Sequence, residues 1–299
     1  MKVSVVTPSY NQGQFIQRTL ESVASQGGAE IEHVVFDGGS TDDTVEVLKR
    51  FGNGLRWTSE KDKGQTDAVN KGIRATNGEI IGWLNSDDIY YPGAIARVGA
   101  FFEKHPDIDV VYGMADHIDL SDHAFESYPT EPWNIARLRD TCIICQPAAF
   151  FRRRVVEQHG MLDLNLQYCM DYEYWLRLAK AEVRFAYLES KLAGSRLYAE
   201  NKTLGSRVKV HKEINDVQKS LFGTVPDRWL WNYAHAVVEE HVDRTTSPRW
   251  FALRMLIAVT KAALHWNGRL SPEMRPGLFD LWHRFRNQAV NVDSARDLS

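Results

Sequence analysis

The chain has very little cysteine: Cys142, Cys145 and Cys169 are the only thiols in 299 residues. So few thiols exclude a disulfide-stapled scaffold and suit a reducing compartment. "CIIC" at 142–145 has the spacing of a redox or zinc motif. A zinc site needs about four ligands, however, and the two intervening residues are isoleucines, so buried structural thiols are expected. Long uncharged apolar runs are also missing, which excludes a bilayer-spanning helix of about 20 residues. Met1 and Lys2 lead straight into the strand-like "VSVVTPSY", which leaves no room for a charged and apolar leader. The expectation is a cytoplasmic protein. Internal repeats and low-complexity linkers are absent. So are G-x-G-x-x-G, the dinucleotide fingerprint, and G-x-x-x-x-G-K-[ST], the phosphate-binding loop.

What is present is a globular composition, 43% hydrophobic and 25% charged, with the charge unevenly divided. From Ser206 onward there are 14 Lys and Arg against 10 Asp and Glu, net +4, which leaves 22 against 29, net −7, before it. The first 120 residues alternate strand-like runs ("KVSVVTP", "IEHVVFDGG", "LRWTSE", "EIIGWLNSDD", "DIDVVYGMADHID") with helical patterns. Alternation of this kind predicts a layered α/β sheet. After about residue 205 the pattern turns to helices rich in Trp and Arg, predicting a catalytic domain over 1–205 and a basic helical region over 206–299.

Open α/β sheets bind ligands at the carboxyl ends of their strands. Here those ends read Thr7-Pro8-Ser9-Tyr10, Asp37-Gly38-Gly39-Ser40 and Asn85-Ser86-Asp87-Asp88. Two adjacent carboxylates after a buried strand repel each other and cost desolvation energy. A hard cation such as Mg²⁺ or Mn²⁺ would relieve both and hold a diphosphate. Capping of the turn before the helix at Pro92 needs only one acid and leaves Asp37 unexplained.

"VSVVTPSYNQGQFIQRTLESVASQ", "HVVFDGGSTDDT", "EKDKGQTDAVNKGI" and "GEIIGWLNSDD", in that order and spacing, resemble the family 2 glycosyltransferases over roughly residues 1–205. The resemblance implies a GT-A fold, a mixed and mostly parallel sheet flanked by helices, here with a C-terminal helical extension. It also implies inverting transfer of a sugar from a nucleotide-diphosphate donor, a UDP-sugar being favoured. Thr7, Pro8 and Tyr10 would line the nucleoside pocket and Asp37 would contact the base. Asp87 would approach the ribose, Asp88 would ligate Mn²⁺ or Mg²⁺, and Ser86 lies beside them. Many members carry Arg before the Asn of "NKG", where this chain has Val69. Asp67, Asn70 and Lys71 remain donor-side candidates, although Lys71 reads equally well as a solvated helix residue.

Inversion by single displacement needs a general base for the acceptor hydroxyl. "MDYEYWLRLAK" is similar to the family's acceptor-side stretch, and Asp171 matches its Asp while Met170 replaces the usual Glu. Asp171 is the expected base, with Glu173 as the alternative. Gln146 and Arg196 would sit on the sugar or acceptor side, and Lys202 would face the diphosphate. The family's His in the "GSRLYAENKT" region is replaced by Tyr198 or Ala199.

In "WFALRMLIAVTKAALHW", a helix puts Arg254, Lys261 and His265 on one narrow face. That region either packs on protein, including a homodimer partner, or docks peripherally on the inner face of the cell membrane. The resulting expectation is a hexosyl- or N-acetylhexosaminyl-transferase acting on a saccharide or lipid-linked saccharide in surface polysaccharide or glycolipid synthesis. No nucleic-acid partner is expected. A nucleotidyltransferase making nucleotide sugars and a non-catalytic nucleotide-sugar-binding module are the rival classes.

Overall fold

A computed structural model of the chain describes residues 1–52, 54–198 and 204–296. Val3, Val5 and Val6 carry β1 (Lys2–Ser9) into the centre of a sheet, where all three are fully buried. A strand covered on both faces needs such a continuous β-branched run. α1 (Gly13–Ala24) turns Phe15, Ile16, Leu20 and Val23 inward at helical spacing. β2 (Glu30–Asp37), α2 (Thr44–Phe51), β3 (Leu55–Ser59), α3 (Gln65–Ala75) and β4 (Ile80–Trp83) continue the alternation. β1 pairs with β2 and β4, and β2 with β3, all in parallel. The intervening helices provide the crossovers that parallel pairing requires.

β5 (Ile89–Tyr90), α4 (Ala94–Lys104), β6 (Val110–Ile118), β7 (Ala124–Ser127) and α5 (Ile135–Asp140) follow. Then come β8 (Ala149–Arg152), α6 (Arg153–His159), α7 (Met170–Lys180) and β9 (Phe185–Arg196). Among the described residues the strand order is β3-β2-β1-β4-β8-β6-β9-β5, with β7 on β6. β8 is antiparallel to both β4 and β6, whereas β6 and β9 run parallel. The expected mixed sheet is therefore present, parallel over most of its paired length.

One sheet face packs Val3, Val5 and Val111 against Ile95, Val98 and Phe102 of α4, and Ile16, Leu20, Val35, Val47 and Leu48 form a second cluster. Each such side chain stabilises the fold by about 1.5–3 kcal/mol relative to exposure. The strand expected over "EIIGWLNSDD" is shorter than its sequence suggests. It stops at Trp83, and residues 85–88 form a turn in which the Asp88 amide donates to the Asn85 carbonyl at 3.1 Å. Asn, Ser and Asp favour such turns because their short side chains bond the local backbone.

No disulfide joins the three cysteines; Cys145 and Cys169 are buried, and Cys142 is half-buried. Burial pushes the Cys142 thiol up to about 12 and raises the Cys145 thiol well above its ordinary value, so both stay protonated and unreactive.

The chain forms two compact units, Met1–Leu138 with Cys142–Asn201, and Arg139–Thr141 with Lys202–Ser299. The second contains α8 (Arg207–Phe222), α9 (Asp227–Glu239), α10 (Pro248–Asn267) and α11 (Arg275–Arg296). Arg139 joins it because its carbonyl accepts from Trp229 Nε1 and Gln218 Nε2, both at 2.8 Å. Its guanidinium also lies 4.2 Å from the Phe222 ring centre. Among the described residues no helix is long and apolar enough to cross a membrane.

Candidate active site

Register aligns Ser9, Asp37 and Ser59 across the carboxyl ends of β1, β2 and β3. A carboxylate ending a buried strand needs donors, and Asp37 has them. Its Oδ2 accepts from Ser59 Oγ at 2.6 Å, the Ser40 amide at 2.8 Å and the Gly39 amide at 3.2 Å, and Ser40 Oγ donates to Oδ1. Gly39 at φ 81° provides the left-handed turn that wraps these amides around the carboxylate. Asp37 thus staples the β2–α2 loop. Asn11 ties the β1–α1 loop to it: its amide donates to Ser40 Oγ at 2.7 Å and its Oδ1 accepts from the Thr41 amide at 2.9 Å.

Tyr10 stands on this shelf, 60% exposed. Pro8 and Thr7 lie buried within β1, and Thr7 Oγ1 shares a 2.9 Å hydrogen bond with His33 Nε2. Burial lowers the His33 pKa to about 3, so the ring is neutral at pH 7. Ser9 Oγ and Gln12 Oε1 are buried without a hydrogen-bond partner among the described residues. Orphaned polar atoms at a strand-end shelf suit a polar ligand.

The acid turn after β4 is built around Asn85. Its Oδ1 accepts from Trp83 Nε1 and Gln65 Nε2, both at 2.8 Å. Its Nδ2 donates to Gln146 Oε1 at 2.9 Å and to Asp88 Oδ2 at 3.2 Å. Gln146 Nε2 in turn donates to the Trp83 carbonyl at 2.5 Å, which places Gln146 against the acid turn. Ser86 is buried, and its carbonyl and that of Asp88 accept from Thr19 Oγ1 at 2.9 and 2.8 Å.

The two acids differ. Asp88 is buried, and its Oδ1 accepts from the Arg196 amide at 2.8 Å. Asp87 is only part-buried, and its Oδ2 accepts from the Tyr198 hydroxyl at 3.0 Å. Burial and Asp87 push that phenol up to about 12, so it stays protonated and donates. Burial raises both carboxyls, and the charge of Asp87 raises Asp88 further. Two desolvated carboxyls of raised pKa fit a cation. Among the described residues no three metal-capable side chains converge, so a cation here would take its remaining oxygens from ligand or water. Arg196 is a buried strut. Its Nε donates to the Asp87 carbonyl at 2.7 Å, its other nitrogens reach the Asp119 carbonyl and the Asp122 carboxylate, and its guanidinium lies 4.7 Å from the Phe15 ring centre.

Asp171 lies in the first turn of α7, where the helix dipole favours a negative charge. Its charge acts on the Cys142 and Cys145 thiols after their burial, and Cys145 also feels Asp88. Asp171 and Asp88 therefore both act electrostatically on one buried thiol. Glu173 is committed elsewhere, in a bidentate pair with Arg177 at 2.7 and 3.1 Å.

The α3 candidates are held by other protein groups, although the charges of Asp67 and Lys71 reach Asp62 beside the shelf. Asn70 is clasped to Leu162, donating to its carbonyl at 2.9 Å and accepting from its amide at 3.2 Å. Lys71 bridges Glu60 at 3.2 Å and Asp67 at 3.3 Å. Lys202 lies outside the described residues. Asn85, Gln12, Tyr198 and Asp62 are additions that sequence reasoning did not single out as site residues. Asp62 sits so close to Gly38 that a Cβ there would be 3.1 Å from both carboxylate oxygens. Its position inside "EKDKG" was the available signal.

A sheet of this order, with a polar shelf and an acid turn at its carboxyl edge, defines an α/β protein of the GT-A class. Staphylococcus aureus TarS (residues 1–349, in complex with UDP-GlcNAc) shares the fold at a TM-score of 0.65 and 17% identity, covering 100% of this chain and 92% of that one. The mannosyltransferase PcManGT of Pyrobaculum calidifontis, in complex with GDP-Man and Mn²⁺, matches at a TM-score of 0.57 and 17% identity, covering 96% and 83%. The chain belongs to glycosyl transferase family 2, whose profile matches residues 4–160. An uncharacterized glycosyltransferase of Rickettsia prowazekii is 27% identical over 215 residues, 67% of this chain and 65% of that protein. A PGL/p-HBAD biosynthesis glycosyltransferase of Mycobacterium tuberculosis is 30% identical over 179 residues, 58% and 68%. The chain thus spans less than two-thirds of the length of the rickettsial relative.

Proposed function

We propose that the chain is an inverting glycosyltransferase using a nucleotide-diphosphate sugar, with a UDP-sugar as the favoured donor. The observation that carries this reading is the Asn85–Asp88 turn: two desolvated carboxyls beside a strand-end shelf with unpartnered polar atoms. Asp37 and Asn11 hold the shelf rigid, and Tyr10 offers an open ring to the base. Mn²⁺ or Mg²⁺, when bound, would neutralise charge on the diphosphate. The burial and hydrogen bonds of Asp88 support assigning that cation to Asp87 rather than to Asp88, with Asp88 and Arg196 bracing the turn. Asp67 and Lys71 stay donor-side candidates through their charge on Asp62, which also feels Asp37, and Lys202 keeps its proposed role at the diphosphate.

Asp171 takes the proton of the acceptor hydroxyl as its oxygen bonds the anomeric carbon. The sugar–phosphate bond breaks and the nucleoside diphosphate leaves with the electron pair. The commitment of Glu173 to Arg177 supports Asp171 as this base. The acceptor is a saccharide or lipid-linked saccharide, and the name of the mycobacterial relative is in keeping with a glycolipid route.

Thermal shift with UDP-, GDP- and dTDP-sugars, with and without Mn²⁺, tests the donor: a saturable, metal-dependent rise with one nucleotide class is expected. Silence with every nucleotide sugar overturns the reading. Transfer to a hydroxyl acceptor rejects both rivals, since a nucleotidyltransferase releases pyrophosphate and a binding module turns nothing over.

A further inference from the structure

The second unit carries an exposed apolar surface to which the proposed transfer assigns no residue. α10 exposes Trp250 at 56%, Ile257 at 46% and Leu264 at 52%. These stand seven residues apart, about two helical turns, and so share one line along the helix. Arg254 and Lys261 are exposed between them, with His265 beside the line. The other side of α10 is buried through Phe251, Met255, Val259 and Trp266. α10 contains no acidic residue.

α11 extends the surface with Phe279 at 64% and Trp282 at 42% exposure, their ring centres 6.2 Å apart. The Arg286 guanidinium lies 5.3 Å from the Trp282 ring centre. The two helices meet where Trp250 and Phe285 lie 6.4 Å apart with Arg249 over both rings.

Large aromatic and aliphatic side chains left in water along a continuous line mark a docking surface. Rings interleaved with cations match the boundary between lipid headgroups and acyl chains. We infer that this face of α10 and α11 lies on a membrane surface containing anionic lipid. Trp250, Ile257 and Leu264 sit at the acyl boundary, and Arg254 and Lys261 bind headgroup phosphates. Charge argues against a second copy as the occupant. A two-fold contact would set Arg254 and Lys261 against the same residues, with no α10 carboxylate to pair them. Asp280 of α11 is already paired with Arg284 at 2.8 Å. With no helix among the described residues able to span a bilayer, the contact lies on the membrane and does not cross it.

Flotation of the 299-residue chain with phosphatidylcholine vesicles, with and without phosphatidylglycerol, tests the inference. Binding is expected only with phosphatidylglycerol and is expected to fall as salt rises. Arg254→Glu with Lys261→Glu should lower it at least about tenfold. Ile257→Ser with Phe279→Ser should weaken it as well. All four side chains are exposed, so melting temperature and the donor-induced thermal shift should hold, which separates this test from that of the catalytic reading. Equal binding to neutral vesicles, indifference to charge reversal, or no flotation overturns the inference. A dimer in light scattering that Ile257→Glu dissociates, without flotation, gives the face to a second copy.

Discussion

The acid ending β2 and the acid pair after β4 occupy equivalent places at the sheet edge yet solve desolvation in opposite ways. Asp37 is surrounded by protein donors, two amides and two hydroxyls. The two acids at 87–88 share three, from the Asn85 side-chain amide, the Arg196 backbone amide and the Tyr198 hydroxyl, and burial raises both carboxyls. A satisfied carboxylate holds a loop. An under-satisfied pair leaves an electrostatic demand that a cation and a diphosphate can meet. Four internal donors on one acid, against three shared by two, mark the difference between the two strand ends.

The largest expected effect lies at a third acid, outside both strand ends. Asp171→Asn should lower kcat by about 10²–10⁴-fold while the donor-induced thermal shift is retained. Near-full turnover in that variant would move the base elsewhere. Next is Asp87→Ala, for which transfer should fall about 10²–10³-fold with little change in melting temperature. Asp37→Ala should do the reverse. Leaving its donors unpaired costs about 1–3 kcal/mol of stability by denaturant titration, and activity is lost only through the loosened shelf. If Asp37→Ala and Asp87→Ala give the same profile, the contrast between the two strand ends is broken.

The sheet and the acid turn were legible in the sequence because β-branched runs and strand-end acids are local signals. The place of Asp171 at a helix start was legible for the same reason, while its role as base rests on the family resemblance. What could not be read was each acid's partners, which come from far along the chain. Asp88 is held by an amide 108 residues later, and Asp87 by a hydroxyl 111 residues later. The assignment of Asp88 as the ligand and Asp87 as the ribose contact rests on the family resemblance, and the proposal of Asp87 as the ligand rests instead on burial and bonding. Asn70 shows the same effect: its motif suggests a ligand contact, and a clasp on Leu162 uses both ends of its amide. Lys71 fits its alternative reading, half-exposed between two acids.

The structural character of β2 makes its own, smaller prediction. His33, buried on that strand, has its pKa lowered to about 3, so the folded state resists protonating it. A depressed pKa contributes stability that is full above the unfolded value of about 6.5 and is lost as pH falls toward the folded one. Between pH 7 and pH 5 the loss should be about 2 kcal/mol. Melting curves of His33→Gln should be flatter across that window, and an unchanged slope removes His33 from the balance.

The smallest expected effect sharpens the contrast most. In Asp88→Asn the side-chain oxygen can still accept from the Arg196 amide, so the brace on the turn remains. The new amide nitrogen meets Asn85 Nδ2, a donor, and forfeits only a 3.2 Å hydrogen bond. Against that loss, a buried like charge beside Asp87 disappears. If Asp87 alone carries the cation, transfer should stay within about tenfold of the wild type, because one weak hydrogen bond is worth about 1 kcal/mol. If Asp88 is the ligand, the same variant should fall as far as Asp87→Ala, since an amide oxygen replaces a full negative charge at the cation. Parallel titrations of the two variants with Mn²⁺ separate the cases: a raised metal requirement confined to Asp87→Ala assigns the cation to the less buried acid.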